Sequence, residues 1–186
     1  MKRSGIVLAL LVAVASGSAA AREIEGINFD ETRNVGGHEL KLVGLGLRTK
    51  WFFNVYVMAA YSKSGERTQR ALLSNQPKFT WIKLLRKIPA DKMRDALDEG
   101  FEKNVPEDKL GGLKERLEKL KGWFPDPIKK GLDIGFTYRP GTGTTVMIGG
   151  EEKGTLEGAD FAKALWRVWF GNKPADKSLK NGILKD

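Results

Sequence analysis

The sequence predicts an α+β fold in which a mostly antiparallel sheet carries its helices stacked on one face. Three observations predict it. Strand-patterned segments cluster before residue 89 and again after residue 131, two amphipathic helical stretches lie between them, and the alternating strand–helix–strand order of a doubly wound parallel fold is missing. With 41% hydrophobic and 30% charged residues among 186, the chain can fill a core and cover it with a solvated surface, which excludes a disordered or collagen-like polymer. Neither a linker nor an internal repeat divides it, so one domain is expected.

The first residues stand apart. Lys2 and Arg3 precede an uncharged apolar run from Ile6 to Ala15, then small residues from Ser16 to Ala21. The run is about half of the ~20 residues that span a bilayer, and Ala19-x-Ala21 offers a small-x-small cleavage site. We read residues 1–21 as a signal peptide cut after Ala21, with Ala20 as the alternative, and residues 22–186 as the mature domain. Its destination is the periplasm or the exterior, with no integral membrane segment left after cleavage.

Strands come first in the mature chain. Glu23 to Phe29 carries Ile24, Ile27 and Phe29 and leads into a turn over Asp30 to Gly37, where Gly36-Gly37 allows reversal. From Glu39 the apolar positions are Leu40 and Leu42, then Val43, Leu45 and Leu47. The parity change beside Gly44 predicts a β-bulge. Trp51 to Tyr61 is apolar on both faces and reads as a strand covered on both sides. Lys78 to Ile88 follows, with Phe79 and Trp81 on one face and Ile82 and Leu84 on the other.

Helical spacing takes over after Pro89, where Met93, Ala96, Leu97, Gly100 and Phe101 share a face, and after Pro106, where Leu110, Leu113, Leu117, Leu120 and Phe124 do. Leu132 to Tyr138, a turn at Pro140 to Gly143, Thr144 to Ile148 and Lys153 to Leu156 make a meander. Asp160 to Phe170 is a helix with Phe161, Leu165, Val168 and Trp169 on its apolar face, Gly171 ends it, and Ala175 to Asn181 reads as a last short helix.

Several kinds of chemistry are excluded at this level. Without cysteine there is no disulfide frame, thiolate nucleophile or cysteine-held metal, and the single histidine, His38, has no partner spacing and reads as a surface residue rather than a metal or haem ligand. No metal or cofactor is expected. The net charge of +9, or +7 once Lys2 and Arg3 are removed, does not by itself select a partner. Lys83, Arg86 and Lys87 form a basic edge without the interleaved exposed aromatics of a base-stacking surface, so nucleic acid is not expected. Trp166, Trp169 and Phe170 fall at helical spacing and read as core. Gly44-Leu45-Gly46 lacks the following helix and acid of a dinucleotide fingerprint.

Arg48 is the residue the sequence singles out. In period-two counting Gly44, Gly46 and Arg48 share a side, so two missing side chains leave a gap beside a guanidinium, whose planar fork of donors suits a carboxylate or phenolate. Tyr56 adds a phenolic hydroxyl on the same parity if no bulge intervenes.

Gly44-Leu45-Gly46-Leu47-Arg48-Thr49-Lys50 followed by Val55-Tyr56-Val57-Met58-Ala59-Ala60-Tyr61 resembles the chalcone isomerase-like family, specifically its short secreted bacterial members. Gly26-Ile27-Asn28-Phe29 looks like the family's opening strand. Phe161 through Trp169-Phe170-Gly171-Asn172-Lys173-Pro174, with Leu179, looks like its closing helix, turn and terminal helix. The resemblance implies an open-faced β-sandwich, a long antiparallel sheet under a helical layer, with a flat or elongated apolar ligand in the cleft between them.

It also implies two chemistries. In the plant enzymes an arginine at the Arg48 position attends the ligand oxygen while a phenolate closes onto an unsaturated ketone, which would make Arg48 a catalytic residue. In the fatty-acid-binding branch the same arginine and a tyrosine hold a carboxylate, and Arg48 with Tyr56 matches that pair. The enzymes have threonine where Tyr56 stands, and Lys92 and Glu99 stand approximately where they carry a tyrosine and an asparagine. The leading expectation is a periplasmic protein that binds a small apolar acid through Arg48 and Tyr56. A chalcone isomerase-type intramolecular lyase and a structural or partner-binding protein with an empty cleft are the alternatives.

Overall fold

The computed structural model describes residues 21–185; the signal-peptide reading, apart from Ala21, lies outside them. The elements in order are β1 (Ala21–Ile24), β2 (Ile27–Asp30), β3 (Thr32–Val35), β4 (His38–Lys50), β5 (Phe53–Ser62), α1 (Gln69–Leu73), β6 (Lys78–Leu84), α2 (Ala90–Asn104), α3 (Glu107–Leu110), a 3-10 turn (Gly111–Leu113), α4 (Lys114–Gly122), β7 (Asp133–Arg139), β8 (Gly143–Ile148), β9 (Glu151–Leu156), α5 (Ala159–Phe170) and α6 (Lys177–Leu184). Strands β3 to β9 form one sheet in sequential order, every neighbouring pair antiparallel. The α+β architecture expected from the element order is the one observed.

Period two splits β5 between two cores. Tyr56, Met58 and Ala60 join the side chains of α2, α4, α5 and α6 on one face of the sheet. Val57, Ala59 and Tyr61 turn to the other, where they meet Leu40, Leu42, Phe79 and Phe29 of the β1–β2 hairpin. The second face is therefore covered by a strand pair and only the first by helices.

The parity change beside Gly44 is a bulge. Leu42 pairs with Tyr61 and Gly44 with Ala60, so Val43 is the extra residue and Leu45 and Leu47 return to the face of Leu40 and Leu42. A second shift puts Val55 between the Arg48–Tyr56 and Thr49–Asn54 pairs.

Other boundaries differ from the periodicity. Glu23 to Phe29 is a tight hairpin rather than one strand, reversing at Glu25-Gly26, where both residues have positive φ. The segment read as a turn holds the short strand β3. Gly111-Gly112 splits the second helical stretch, and α1 carries too few apolar residues to show a period. Trp51 and Phe52 are not strand but the tip of the β4–β5 hairpin.

Candidate functional site

Arg48 lies near the end of β4 directly across from Tyr56 on β5, the two being Cα partners. Cross-strand partners project to one side of a sheet. Here that is the helical side, because Tyr56 belongs to the core under α5. The tyrosine expected on the arginine's face is there, brought by strand pairing even though a bulge does intervene.

Tyr56 is buried and its hydroxyl is fully specified as an acceptor. The indole Nε1 of Trp169 donates to it at 2.9 Å, and Arg48 Nη1 donates a longer bond at 3.5 Å. The Arg48 guanidinium carbon stands 5.6 Å from the centre of the Tyr56 ring. A tyrosine hydroxyl has two lone pairs and one proton. With both lone pairs engaged, its O–H has no acceptor among the described residues.

Arg48 is half-buried, and among the described residues no carboxylate lies within ion-pair distance of it. Burial works against its charge, but the Tyr56 oxygen and, at longer range, Asp176 and Glu99 outweigh that effect and hold the guanidinium above its ordinary pKa. It is a permanent cation with donors to spare.

Both residues line a cleft of about 570 Å³ between the β4–β5 hairpin and α2, within the range of small-molecule sites. Val55, Ile88, Met93 and Ala96 supply apolar wall, while Trp51 and Phe53 stand at its outer end. Exposure rises from 1% at Tyr56 to 86% at Trp51, so the polar pair marks the inner end and the aromatics the mouth.

The gap expected beside Arg48 is not part of this cleft. A Cβ on Gly44 would collide with the backbone of Ile183, and one on Gly46 with the backbone of Leu179. The two glycines admit α6 against β4, and the ligand space lies further along the strand, beyond Arg48. Lys92 and Glu99 do reach the cleft, on α2. Lys92 is shared between Asp91 and Asp95 at 3.5 and 3.4 Å, and Glu99 is held by Lys103 at 2.8 Å, which lowers its pKa.

Trp169 was expected to be core only. It is buried, but its N–H also orients Tyr56, a role whose only sequence signal is that a buried indole needs an acceptor. The aromatic mouth was missed because Trp51 to Phe53 counts as apolar strand. His38 opens β4 opposite Val35, and no group of three or more metal-ligating side chains occurs among the described residues. Lys83 of the basic edge pairs with Asp133 at 3.0 Å, and the Arg86 guanidinium stands 4.2 Å over the Phe53 ring. No described helix is long and apolar enough to cross a membrane.

Comparison with solved structures finds a fatty-acid binding protein from Arabidopsis thaliana, at a TM-score of 0.68 and 16% identity, covering 89% of this chain and 96% of that one. The likeness is one of fold. No curated protein matches. The chalcone isomerase-like family matches over residues 21–185, and the chain belongs to that family.

Proposed function

We propose that the protein is exported and binds an apolar carboxylic or phenolic ligand in the β4–β5/α2 cleft, with Arg48 and Tyr56 at the anionic end. One observation carries the reading: at the inner end of an apolar-walled cleft, a guanidinium with no carboxylate partner among the described residues sits beside a tyrosine hydroxyl whose proton has no acceptor among them. A carboxylate supplies the acceptors both groups lack, and charge-assisted bonds from a guanidinium are among the stronger hydrogen bonds. The structural neighbour's fatty-acid binding supports an aliphatic acid as the first ligand to try. Export to the periplasm or beyond rests on the basic start, short apolar run and small-residue site of residues 1–21.

Binding fits better than cyclisation of an enone. The positions where the resemblance implies a phenol and an amide hold Lys92 and Glu99, both engaged in surface ion pairs.

Titration with long-chain fatty acids and aromatic acids, followed by calorimetry, tests the proposal. Arg48→Gln is expected to weaken acid binding about a hundredfold and Tyr56→Phe about tenfold, the scale of losing charged and neutral hydrogen bonds. The fatty alcohol of equal length is expected to bind both variants alike. Unchanged acid affinity in Arg48→Gln sinks the assignment.

A further inference from the structure

The most exposed large apolar side chains among the described residues are consecutive. Trp51, Phe52 and Phe53 are 86%, 98% and 53% exposed at the tip of the β4–β5 hairpin, where Trp51 and Phe53, but not Phe52, line the mouth of the cleft. A soluble protein rarely leaves such a cluster in water without a use for it. Trp51 also holds a φ of +57°, a left-handed conformation that disfavours a bulky residue. The hairpin could close more easily with glycine or asparagine there.

Cations outnumber acids around the tip. Lys50 flanks it on its own strand, Arg86 lies over Phe53, and Lys87 is the next residue along. Among the described residues none of the three has a carboxylate within ion-pair distance. Nearby acids are engaged but not all neutralised: Asp91 and Asp95 share Lys92, and Lys103 holds Glu99. Glu25 reaches the hairpin only to accept from Asn54 Nδ2 at 3.0 Å.

We propose that this hairpin tip docks the protein on an anionic lipid bilayer, with Trp51 and Phe52 entering the headgroup boundary while Lys50, Arg86 and Lys87 meet lipid phosphates. Aromatic side chains prefer that boundary and basic ones favour an anionic surface. Charge selects a bilayer over a second copy of this chain, because pairing two tips brings the same unpaired cations together. Docked this way, the cleft mouth faces the membrane, where an apolar acid resides. That last consequence rests on the proposed ligand, but the docking itself does not.

The experiment uses residues 21–186, which contain the whole described fold but not the apolar leader. Flotation with vesicles of phosphatidylethanolamine and phosphatidylglycerol is compared with pure phosphatidylcholine. Binding is expected to the anionic vesicles, at least tenfold weaker to the neutral ones, and weakened by high salt. Phe52→Asp, at a fully exposed position outside the cleft, is expected to keep its thermal midpoint and ligand affinity but lose vesicle binding at least tenfold. Absence of binding to anionic vesicles overturns the proposal, as does equal binding by Phe52→Asp. Self-association that Phe52→Asp abolishes, without vesicle binding, assigns the tip to a protein interface and overturns it too. Failure of ligand titration alongside intact vesicle binding would instead count against the cleft assignment alone.

Discussion

Gly44→Val is expected to destabilise the fold by about 3–6 kcal/mol, although valine is the better strand former. The reason lies across the sheet. Gly44 and Gly46 face α6, and a Cβ at Gly44 would enter the backbone of Ile183, which cannot rotate away as a side chain can. Either β4 bends or α6 lifts. Lifting α6 returns Leu179 and Ile183, both fully buried, to water, and each such side chain is worth about 1.5–3 kcal/mol. The helix is otherwise well formed, with the Asp176 carboxylate accepting from the Leu179 N–H at 2.9 Å, so it has no local reason to leave. Gly122→Ala is the matched control. It ends α4 with nothing near its missing Cβ, and alanine there is expected to be neutral or stabilising by up to about 1 kcal/mol. Urea midpoints of the three proteins decide the matter. A Gly44→Val midpoint equal to that of the unaltered chain would mean α6 does not rest on these glycines.

Those glycines also show where sequence reasoning stops. Parity along β4 was legible, because a two-residue period interrupted once has only one geometric cause, and the bulge at Val43 followed from it. The shared face of Gly44, Gly46 and Arg48 was legible for the same reason. What fills the space over a glycine is set by an element more than a hundred residues away, and no local pattern announces whether it is a helix or a ligand. Arg48 and Tyr56 were legible together, from parity along the chain and again from motif resemblance, and strand pairing supplies the physical reason: an antiparallel hairpin makes them partners. Trp169 was legible as buried but not as a donor to Tyr56, since that bond depends on the angle at which α5 crosses the sheet. The tip at Trp51 to Phe53 was misread because hydrophobicity counts the same whether a side chain faces core or water. The basic residues beside it carried the only hint of a surface.

Stability is expected to rise with pH between about 7 and 10, and Lys78 is expected to be the cause. The side chain opens β6 and is 1% exposed, with its Nζ donating to the carbonyls of Leu72 and Ser74 at 2.8 and 2.9 Å. It also stands 5.1 Å from the ring centres of Tyr138 and Trp166. The carbonyls close the C-terminal end of α1 and both they and the rings favour the ammonium, but among the described residues no carboxylate completes the pair. Asp160, which lines the neighbouring cavity, is committed to Arg116 at 2.8 Å. Loss of water, with a smaller push from Lys163, therefore lowers the Lys78 pKa from 10.5 to about 7. The unfolded chain then binds a proton that the folded chain gives up throughout that interval, so unfolding takes up a proton and stability falls as pH drops from about 10 to 7. Below that both states are protonated and the dependence ends. A full proton is worth about 1.4 kcal/mol per pH unit, so between pH 7 and 9 the change is expected to be about 1–3 kcal/mol. Lys78→Met keeps the length of the side chain and removes the titration. Its denaturation midpoint is expected to lose the rise between pH 7 and 9, whatever its absolute stability after losing the two carbonyl contacts. A slope that survives in Lys78→Met, or that is missing from the unaltered protein, assigns the pH dependence elsewhere.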